Sequence, residues 1–260
     1  MNWAEIELTG WGQAARSRAN ACRPERTPEL AQAVASATAP TGIIARGAGR
    51  SYGDAAMNGG GLAAIVTRLD RILAFDPETG DVVCEPGVTF RDLVDTFVPR
   101  GFMPPTSPGT SFATVGGALA NDVHGKNHDR HGSFGNHVHW FDLLLADGGW
   151  RRVTPEEDPE LFAATIGGVG LTGVVTAVAF RLLPGALPTV SVTERRIADL
   201  DGFLAAFEEA RETATFSVGW IDALATGRGF GRGIFETAEL AAGKLPRPPR
   251  PRAEIGTAHV

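Results

Sequence analysis

Residues 45–54 form a glycine-rich loop that limits what this chain can fold into. The apolar run Gly42-Ile43-Ile44 before it predicts a short buried strand, and a second glycine cluster follows at Asn58-Gly59-Gly60-Gly61. Loops of small residues turn tightly and present consecutive main-chain N–H groups, which form a concave cradle for an anion such as a diphosphate. The Rossmann dinucleotide fingerprint fits poorly, because its third glycine comes one place late and the second cluster would break the helix that must follow. The loop therefore indicates diphosphate binding of another kind.

Length and charge narrow the class of protein. A chain of 260 residues makes one large domain or two modest ones, and its formal net charge of −6 argues against nucleic acid as the main partner. No apolar run reaches the roughly 18 residues that a membrane span needs, and the amino-terminal residues lack the pattern of a secretion signal. Cys22 and Cys84 are too few for a disulfide framework. We expect reduced thiols in a cytoplasmic protein.

Helices and strands are predicted in a mixed order, which indicates an α+β fold rather than strict strand–helix alternation. Thr27, Thr89 and Thr114 are the predicted N-caps of three helices. Prolines and a glycine at residues 184–188 predict a boundary. We therefore expect a first domain over residues 1–184, a smaller α+β unit over 185–240 and a disordered Pro/Arg-rich tail over 241–260.

Three glycine-rich loops are spread over about half of the chain. They lie at residues 47–61, 109–121 and 167–173, each beside a predicted buried strand or a short helix. One such loop is weak evidence, because turns need glycine in any case. The three together predict one extended ligand along the domain, and three unrelated tight turns remain the alternative.

A histidine-rich segment over residues 121–132 concentrates titratable groups. His124, His128 and His131 invite a metal site, but Gly125 and Gly132 interrupt the helix that would align them. A structural histidine cluster is a second interpretation. We favour a third, an active-site strip in which His124 or Lys126 exchanges a proton or binds an oxyanion.

The ordered motifs resemble the FAD-linked oxidases of the vanillyl-alcohol-oxidase type, and within that superfamily the decaprenylphosphoryl-ribose oxidases. The resemblance covers about residues 8 to 235. It rests on the loop at 46–54, on Val115-Gly116-Gly117-Ala118 leading to His124-Gly125, and on further strings of the same kind. Those strings are Gly10-Trp11-Gly12, Asn58-Gly59-Gly60-Gly61, His124-Gly125-Lys126-Asn127-His128, Gly132-Ser133-Phe134-Gly135-Asn136-His137, Ala146-Asp147-Gly148, Asp158-Pro159-Glu160-Leu161-Phe162, Gly167–Gly173 and Trp220-Ile221-Asp222.

The resemblance implies an FAD-binding domain of two α+β subdomains followed by a substrate-cap domain with an antiparallel sheet. It implies FAD without a covalent tether, since Arg50 stands where some relatives carry the histidine that binds the flavin. No metal is implied. The residues that it assigns to cofactor binding are Arg46, Gly47, Ala48, Gly49, Arg50, Ser51, Tyr52, Gly109, Thr110, Thr114, Gly116, Gly117, Ala118, Asn121, Val123, Gly125, Gly170 and Val174.

The same resemblance implies oxidation of a secondary sugar alcohol, the C2 hydroxyl of a polyprenylphosphoryl-ribose, by hydride transfer to flavin N5. His124, Lys126 and Tyr52 are then the catalytic candidates, and Trp220 lines the substrate pocket. A short-chain reductase is the implied partner, and the implied location is cytoplasmic and peripheral to the membrane.

The family chain is longer, so we expect the cap domain of this chain to be incomplete. Val169 and Asn121 are smaller departures from the family pattern. Two other functions stay open at this stage. One is an FAD-binding module without turnover, and the other is a sugar-phosphate-binding domain that uses the glycine loops without flavin.

Overall fold

A computed structural model describes residues 2–37 and 41–243. The chain divides into two compact units, Met1–Gly185 and Ala186–Val260. The strands of the first unit are β1 (Ala4–Thr9), β2 (Arg16–Cys22), β3 (Ile43–Arg46), β4 (Leu62–Ile65), β5 (Ile72–Phe75), β6 (Asp81–Cys84), β7 (Phe102–Met103), β8 (Val138–Leu144), β9 (Trp150–Val153), β10 (Val174–Arg181) and β11 (Leu183–Pro184). Its α-helices are α1 (Thr27–Ala35), α2 (Phe90–Phe97), α3 (Val115–Ala120), α4 (His128–His131) and α5 (Pro159–Thr165).

Two sheets organise the first unit. One has the strand order β1-β2-β4-β3, in which β1 and β2 form an antiparallel hairpin and β4 runs parallel to both β2 and β3. The other is antiparallel throughout, with the order β5-β6-β10-β8-β9. This combination of sheets with short helices confirms the predicted α+β class.

The five-stranded sheet carries the larger core, and α2 shows how the sequence builds it. Phe90, Leu93 and Phe97 lie on one face of this helix and are buried. Burial of each such side chain contributes about 1.5–3 kcal/mol. At the start of the helix, the Asp92 amide donates to Thr89 Oγ1 over 3.2 Å, and the Thr89 amide donates to Asp92 Oδ2 over 2.9 Å. The predicted cap at Thr89 is therefore confirmed, as a reciprocal capping box.

The predicted cap at Thr27 is wrong. The carbonyl of Arg26 accepts the first helical hydrogen bonds, from the amides of Glu29 at 3.0 Å and Leu30 at 3.2 Å. Helix α1 therefore begins at Thr27 itself, and Arg26 holds the cap position in an extended conformation without a side-chain bond. Since Arg26 has no short side-chain acceptor, the sequence pattern placed the cap one residue too late.

The second unit is a three-stranded antiparallel sheet with one helix packed against it. Its strands are β12 (Thr189–Ile197), β13 (Phe216–Ile221) and β14 (Gly233–Ala241), in the order β12-β14-β13, and its helix is α6 (Leu200–Thr213). Phe203, Ala206 and Ala210 of α6 share a buried cluster with Phe235. Of the predicted disordered tail, residues 244–260 lie outside the described part of the chain.

Within the described ranges, no helix combines the length and apolar character that crossing a membrane requires.

Candidate functional site

The three glycine-rich loops of the first unit line one cavity of about 700 Å³. The first loop contributes residues 47–53, the second contributes Gly109, Gly116 and Gly117, and the third contributes Gly170 and Gly173. A cavity of this size lies within the range of small-molecule and cofactor sites.

The first loop leaves its main-chain donors available. Within the described residues, no hydrogen bond uses the N–H groups of Ala48, Gly49, Arg50 or Ser51. All four residues line the cavity. Consecutive unpaired amides in a tight loop are the donors that bind a phosphate or diphosphate. The loop therefore has free main-chain donors, and its role in binding a diphosphate stays a prediction.

Arg46 links the start of this loop to Ala56 farther along it and to the end of β1. Its guanidinium donates to the carbonyl of Ala56 over 2.8 Å and to the carbonyl of Thr9 over 2.6 Å. Burial lowers the pKa of this guanidinium, which nevertheless stays charged because arginine titrates far above neutrality. Gly49 lies against the guanidinium in a left-handed conformation, with a φ of +66°, so a side chain there would meet Arg46.

The turn between β1 and β2 packs on the first loop. The amide of Trp11 donates to the carbonyl of Ser51 over 2.7 Å. Trp11 and Tyr52 both line the cavity, and the two residues are 58% and 79% exposed. Two aromatic residues therefore stand at the solvent-facing rim of the cavity.

Thr114 joins the first and second loops. As predicted, it is the N-cap of α3, and its Oγ1 accepts from the amide of Gly117 over 3.3 Å. The same oxygen lies so close to the position that a Cβ on residue 47 would take that a side chain there would clash with Thr114. Glycine at position 47 therefore lets the first loop approach α3 directly.

The first amides of α3 are already paired within the protein. The amide of Val115 donates to the carbonyl of Val88, and the amide of Gly116 donates to the carbonyl of Pro86, each over 2.8 Å. A Cβ on Gly116 would lie 2.6 Å from the Cβ of Pro86. This glycine permits close packing, and it offers no free amide to a ligand.

The third loop carries a backbone outlier. Val169 has a φ of +55°, which is rare for a β-branched residue. Its amide donates to the carbonyl of Ala120 over 2.8 Å, and the amide of Gly167 donates to the carbonyl of Leu119 over 2.9 Å. These two bonds fix the loop on the end of α3, with the Val169 side chain on the cavity lining.

The histidine-rich segment contributes one ring to the cavity. His124 lines it and packs edge-to-face on His128, with the ring centroids 5.5 Å apart. Asn127 is buried and fixes the neighbouring chain, since its Nδ2 donates to Pro105 O over 2.8 Å and its Oδ1 accepts from the Ser107 amide over 3.0 Å. In the described ranges, no cluster of three metal-ligating side chains is present.

His131 is a different case from His124. Burial lowers the pKa of His131, and the neighbouring His137 and Arg130 lower it further. These surroundings favour a neutral imidazole outside the cavity lining.

Most of the predicted site residues of the first unit come together at the cavity. Those that line it are Gly47, Ala48, Gly49, Arg50, Ser51, Tyr52, Gly109, Thr110, Thr114, Gly116, Gly117, Asn121, Val123, His124 and Gly170. Those outside its lining are Arg46, Ala118, Gly125, Lys126 and Val174. Ala118 is fully buried in the core. Trp220 lies on β13 of the second unit and is exposed. The assigned roles of all these residues stay predictions.

Other residues of the lining were not among the individually predicted site residues. They are Trp11, Ala45, Gly53, Ala55, Ala56, Val66, Pro86, Pro108, Ala113, Ala120, Val169, Gly173 and Val175. Ala45, Gly53 and Gly173 lie inside the predicted loops, so the loop boundaries included them although the individual assignments did not. Pro86 carries no sequence signal, because only packing against α3 brings it to the cavity.

Comparison with known proteins assigns these motifs to a family. A family model described as FAD binding domain matches residues 19–154. The chain is 38% identical over 238 residues to the decaprenylphosphoryl-beta-D-ribose oxidase of Mycolicibacterium smegmatis, which covers 90% of this chain and 52% of that protein. An uncharacterized protein of Streptomyces coelicolor is 40% identical over 59% of this chain and 41% of its own length. The D-lactate dehydrogenase of Anaerostipes hadrus is 28% identical over 54% of this chain and 30% of its own length.

The chain thus spans about half the length of the first of these relatives, and less of the other two. The family match includes the first two glycine loops and the histidine-rich segment, and so most of the cavity described above. The chain therefore belongs to the FAD binding domain family, and its cofactor is FAD.

Proposed function

We propose that this chain is the flavin-binding part of an FAD-dependent oxidoreductase that oxidises a secondary alcohol of a sugar. The C2 hydroxyl of a polyprenylphosphoryl-ribose is the substrate group that we favour. The proposal draws its substrate from the relative of Mycolicibacterium smegmatis, whose name is decaprenylphosphoryl-beta-D-ribose oxidase.

One observation carries the proposal: residues 48–51, whose amides are unpaired within the described residues, line a cavity that the histidine-rich segment also lines. FAD fits this arrangement, because four free donors suit its two phosphates and the small side chains of Gly47 and Ala48 leave room for close approach. We assign the diphosphate to the first loop. Residues Gly109, Gly117 and Gly170 then contact the rest of the cofactor.

When bound, FAD supplies a flavin ring that accepts a hydride. The protein has to position the sugar carbon, exclude water and accept the proton of the hydroxyl. His124 is the base that we favour, because it lines the cavity and a neutral imidazole has a ring nitrogen that can accept a proton. Tyr52 at the exposed rim and Lys126, two residues after His124, are assigned to orienting the hydroxyl.

We propose a non-covalent cofactor. The side chain of Arg50 stands on the cavity lining within the first loop, and a guanidinium stays protonated and is not a nucleophile. Cysteine is an unsuitable tether as well, since Cys22 and Cys84 are both buried away from the lining of the described cavity.

We also propose that residues 1–184 form the FAD domain in two subdomains and that residues 185–240 begin a substrate cap carrying Trp220. The two larger sheets of the first unit and the separate sheet of the second unit support this division. A short-chain reductase partner and a peripheral place at the membrane belong to the same proposal.

The first test is the absorption spectrum of the purified protein. We expect flavin bands that survive dialysis and appear in the filtrate after denaturation, as a non-covalent cofactor requires. Well-folded protein that stays colourless and takes up no added FAD would contradict the proposal.

The second test is anaerobic reduction by a polyprenylphosphoryl-ribose. We expect bleaching of the flavin bands, and slower bleaching at neutral pH in His124→Gln than in the control His131→Gln. FAD-loaded protein that never bleaches would instead favour the binding module without turnover.

A further inference from the structure

Two arginines share an aromatic cluster at the rim of the cavity. The guanidinium carbon of Arg50 lies 5.5 Å from the centroid of the Trp11 ring and 5.4 Å from that of Phe112. The guanidinium carbon of Arg91 lies 5.3 Å from the same Phe112 ring. Trp11 and Arg50 line the cavity. We call these four residues the rim cluster.

The backbone holds the rim cluster in place. The amide of Phe90 donates to the carbonyl of Ala113 over 3.0 Å, and the amide of Arg91 donates to the carbonyl of Ser111 over 2.8 Å. The start of α2 is therefore paired with the segment that carries Phe112. The bond from the Trp11 amide to Ser51 O fixes the other aromatic residue beside the first loop.

The arginines of the rim cluster differ from other arginines that lie on aromatic rings. Arg152 lies over Trp140, and its guanidinium also donates to both carboxylate oxygens of Asp142, over 2.8 and 2.9 Å. Arg195 lies over Phe235 and donates to Glu209 over 2.8 Å. In the described part of the chain, neither Arg50 nor Arg91 has a carboxylate within 4.0 Å or an acceptor for its guanidinium.

Guanidinium groups held on ring faces with free donors are suited to an anion. The ring contact orients the cation, and the planar fork of N–H groups matches phosphate oxygens. A phosphodiester carries one negative charge on two non-bridging oxygens, and each oxygen can accept hydrogen bonds from a guanidinium. The diphosphate of FAD already has the free amides of the first loop, and Arg91 lies outside the cavity lining.

We propose that the rim cluster is a phosphoryl-binding subsite for the phosphodiester of the substrate. This assignment rests on the proposed function and names the residues that distinguish a phosphorylated sugar from a free one. The sugar enters the cavity, and its phosphodiester stays at the rim between the two guanidinium groups.

The test is calorimetric titration of the FAD-loaded protein with methyl ribosyl phosphodiester and with uncharged methyl riboside. We expect the wild type to bind the phosphodiester at least about tenfold more tightly, as charge-assisted hydrogen bonds predict. Arg91→Gln should remove most of this preference, and Phe112→Leu should reduce it. Arg26→Gln is the matched control, since Arg26 is exposed and makes no ion pair in the described residues. Equal thermal midpoints establish that each variant is folded.

Titration with FAD separates the two sources of phosphoryl groups. We expect Arg91→Gln to leave the FAD dissociation constant unchanged. If this variant weakens FAD as much as the phosphodiester, the cluster serves the cofactor and the proposal is wrong. An undiminished phosphodiester preference in Arg91→Gln overturns it as well. If the protein binds no FAD, the proposed function is wrong. The preference for the phosphodiester is then measured on the FAD-free protein, so the subsite is still tested.

Discussion

The first and second glycine-rich loops line the same cavity, yet they use their backbones differently. In the first loop, the amides of residues 48–51 have no partner within the described residues. In the second, the amides of Val115 and Gly116 are paired with the carbonyls of Val88 and Pro86, and Gly117 donates to the Thr114 hydroxyl. The first loop therefore has donors for a ligand, and the second has glycine for packing.

This difference shows that glycine content alone does not identify a ligand-binding loop. The hydrogen-bond partner of each amide does, because a buried or half-buried N–H group needs one. Substitutions in the second loop should mainly change folding stability, and substitutions in the first should mainly change cofactor affinity.

The largest effect is expected for Gly116→Val. Its side chain would overlap Pro86, whose Cβ and carbonyl oxygen lie 2.6 and 3.2 Å from the Cβ position. Overpacking of this kind costs about 3 kcal/mol of unfolding free energy, measurable by urea denaturation. Gly109→Ala is the control, because nothing lies within 4 Å of its Cβ position. Equal stability of the two variants would contradict the packing role.

Gly49→Ala should weaken FAD binding by roughly tenfold, with a smaller loss of stability. The left-handed φ of +66° and the adjacent Arg46 guanidinium both oppose a side chain there. Fluorescence titration of the apoprotein with FAD measures the change. Gly53→Ala in the same loop has open space and should bind FAD nearly as the wild type does. Equal FAD affinities of the two variants would show that loop shape does not control binding.

Thr114→Ala should lower the unfolding free energy by about 1 kcal/mol, because α3 loses its N-cap. Thr114→Ser keeps the capping oxygen and should recover most of this loss. Chemical denaturation of the two variants in parallel tests the assignment. A serine variant as unstable as the alanine variant would point to the Thr114 methyl group rather than its hydroxyl.

The smallest effect is an increase in stability for Val169→Asn. Asparagine tolerates the left-handed φ of +55° better than a β-branched residue, which should raise the unfolding free energy by about 0.5 kcal/mol. Val94→Asn is the control, since Val94 on α2 is exposed to a similar extent, 40% against 39%. A thermal midpoint that rises in both variants would exclude relief of backbone strain as the cause.

The features of this molecule that the sequence could predict depend on contacts between residues that are close together in the chain. The caps at Thr89 and Thr114 bond to amides three residues away, so residue type and spacing identify them. The first loop is likewise a local pattern of small residues. The mistake at Thr27 concerns one residue at a helix end, where the N-cap residue Arg26 makes no side-chain hydrogen bond.

The parts that sequence could not predict depend on distant contacts. Arg46 looks like a ligand-binding residue of the first loop, yet its guanidinium bonds to the Thr9 carbonyl 37 positions away. The rim cluster combines residues from the β1–β2 turn, the first loop, α2 and the segment before α3. No spacing rule connects these four places, because the packing of the first unit brings them together.

The bond between Arg46 and Thr9 also links the first loop to a distant part of the chain. A contact across 37 residues forms only after a long chain segment has closed, which carries an entropic cost and delays it relative to local structure. The conformation of the first loop therefore depends on the docking of the amino-terminal hairpin, which carries Thr9. We therefore expect a chain that lacks residues 1–9 to bind FAD more weakly, because the Arg46 guanidinium then has no Thr9 carbonyl as its acceptor.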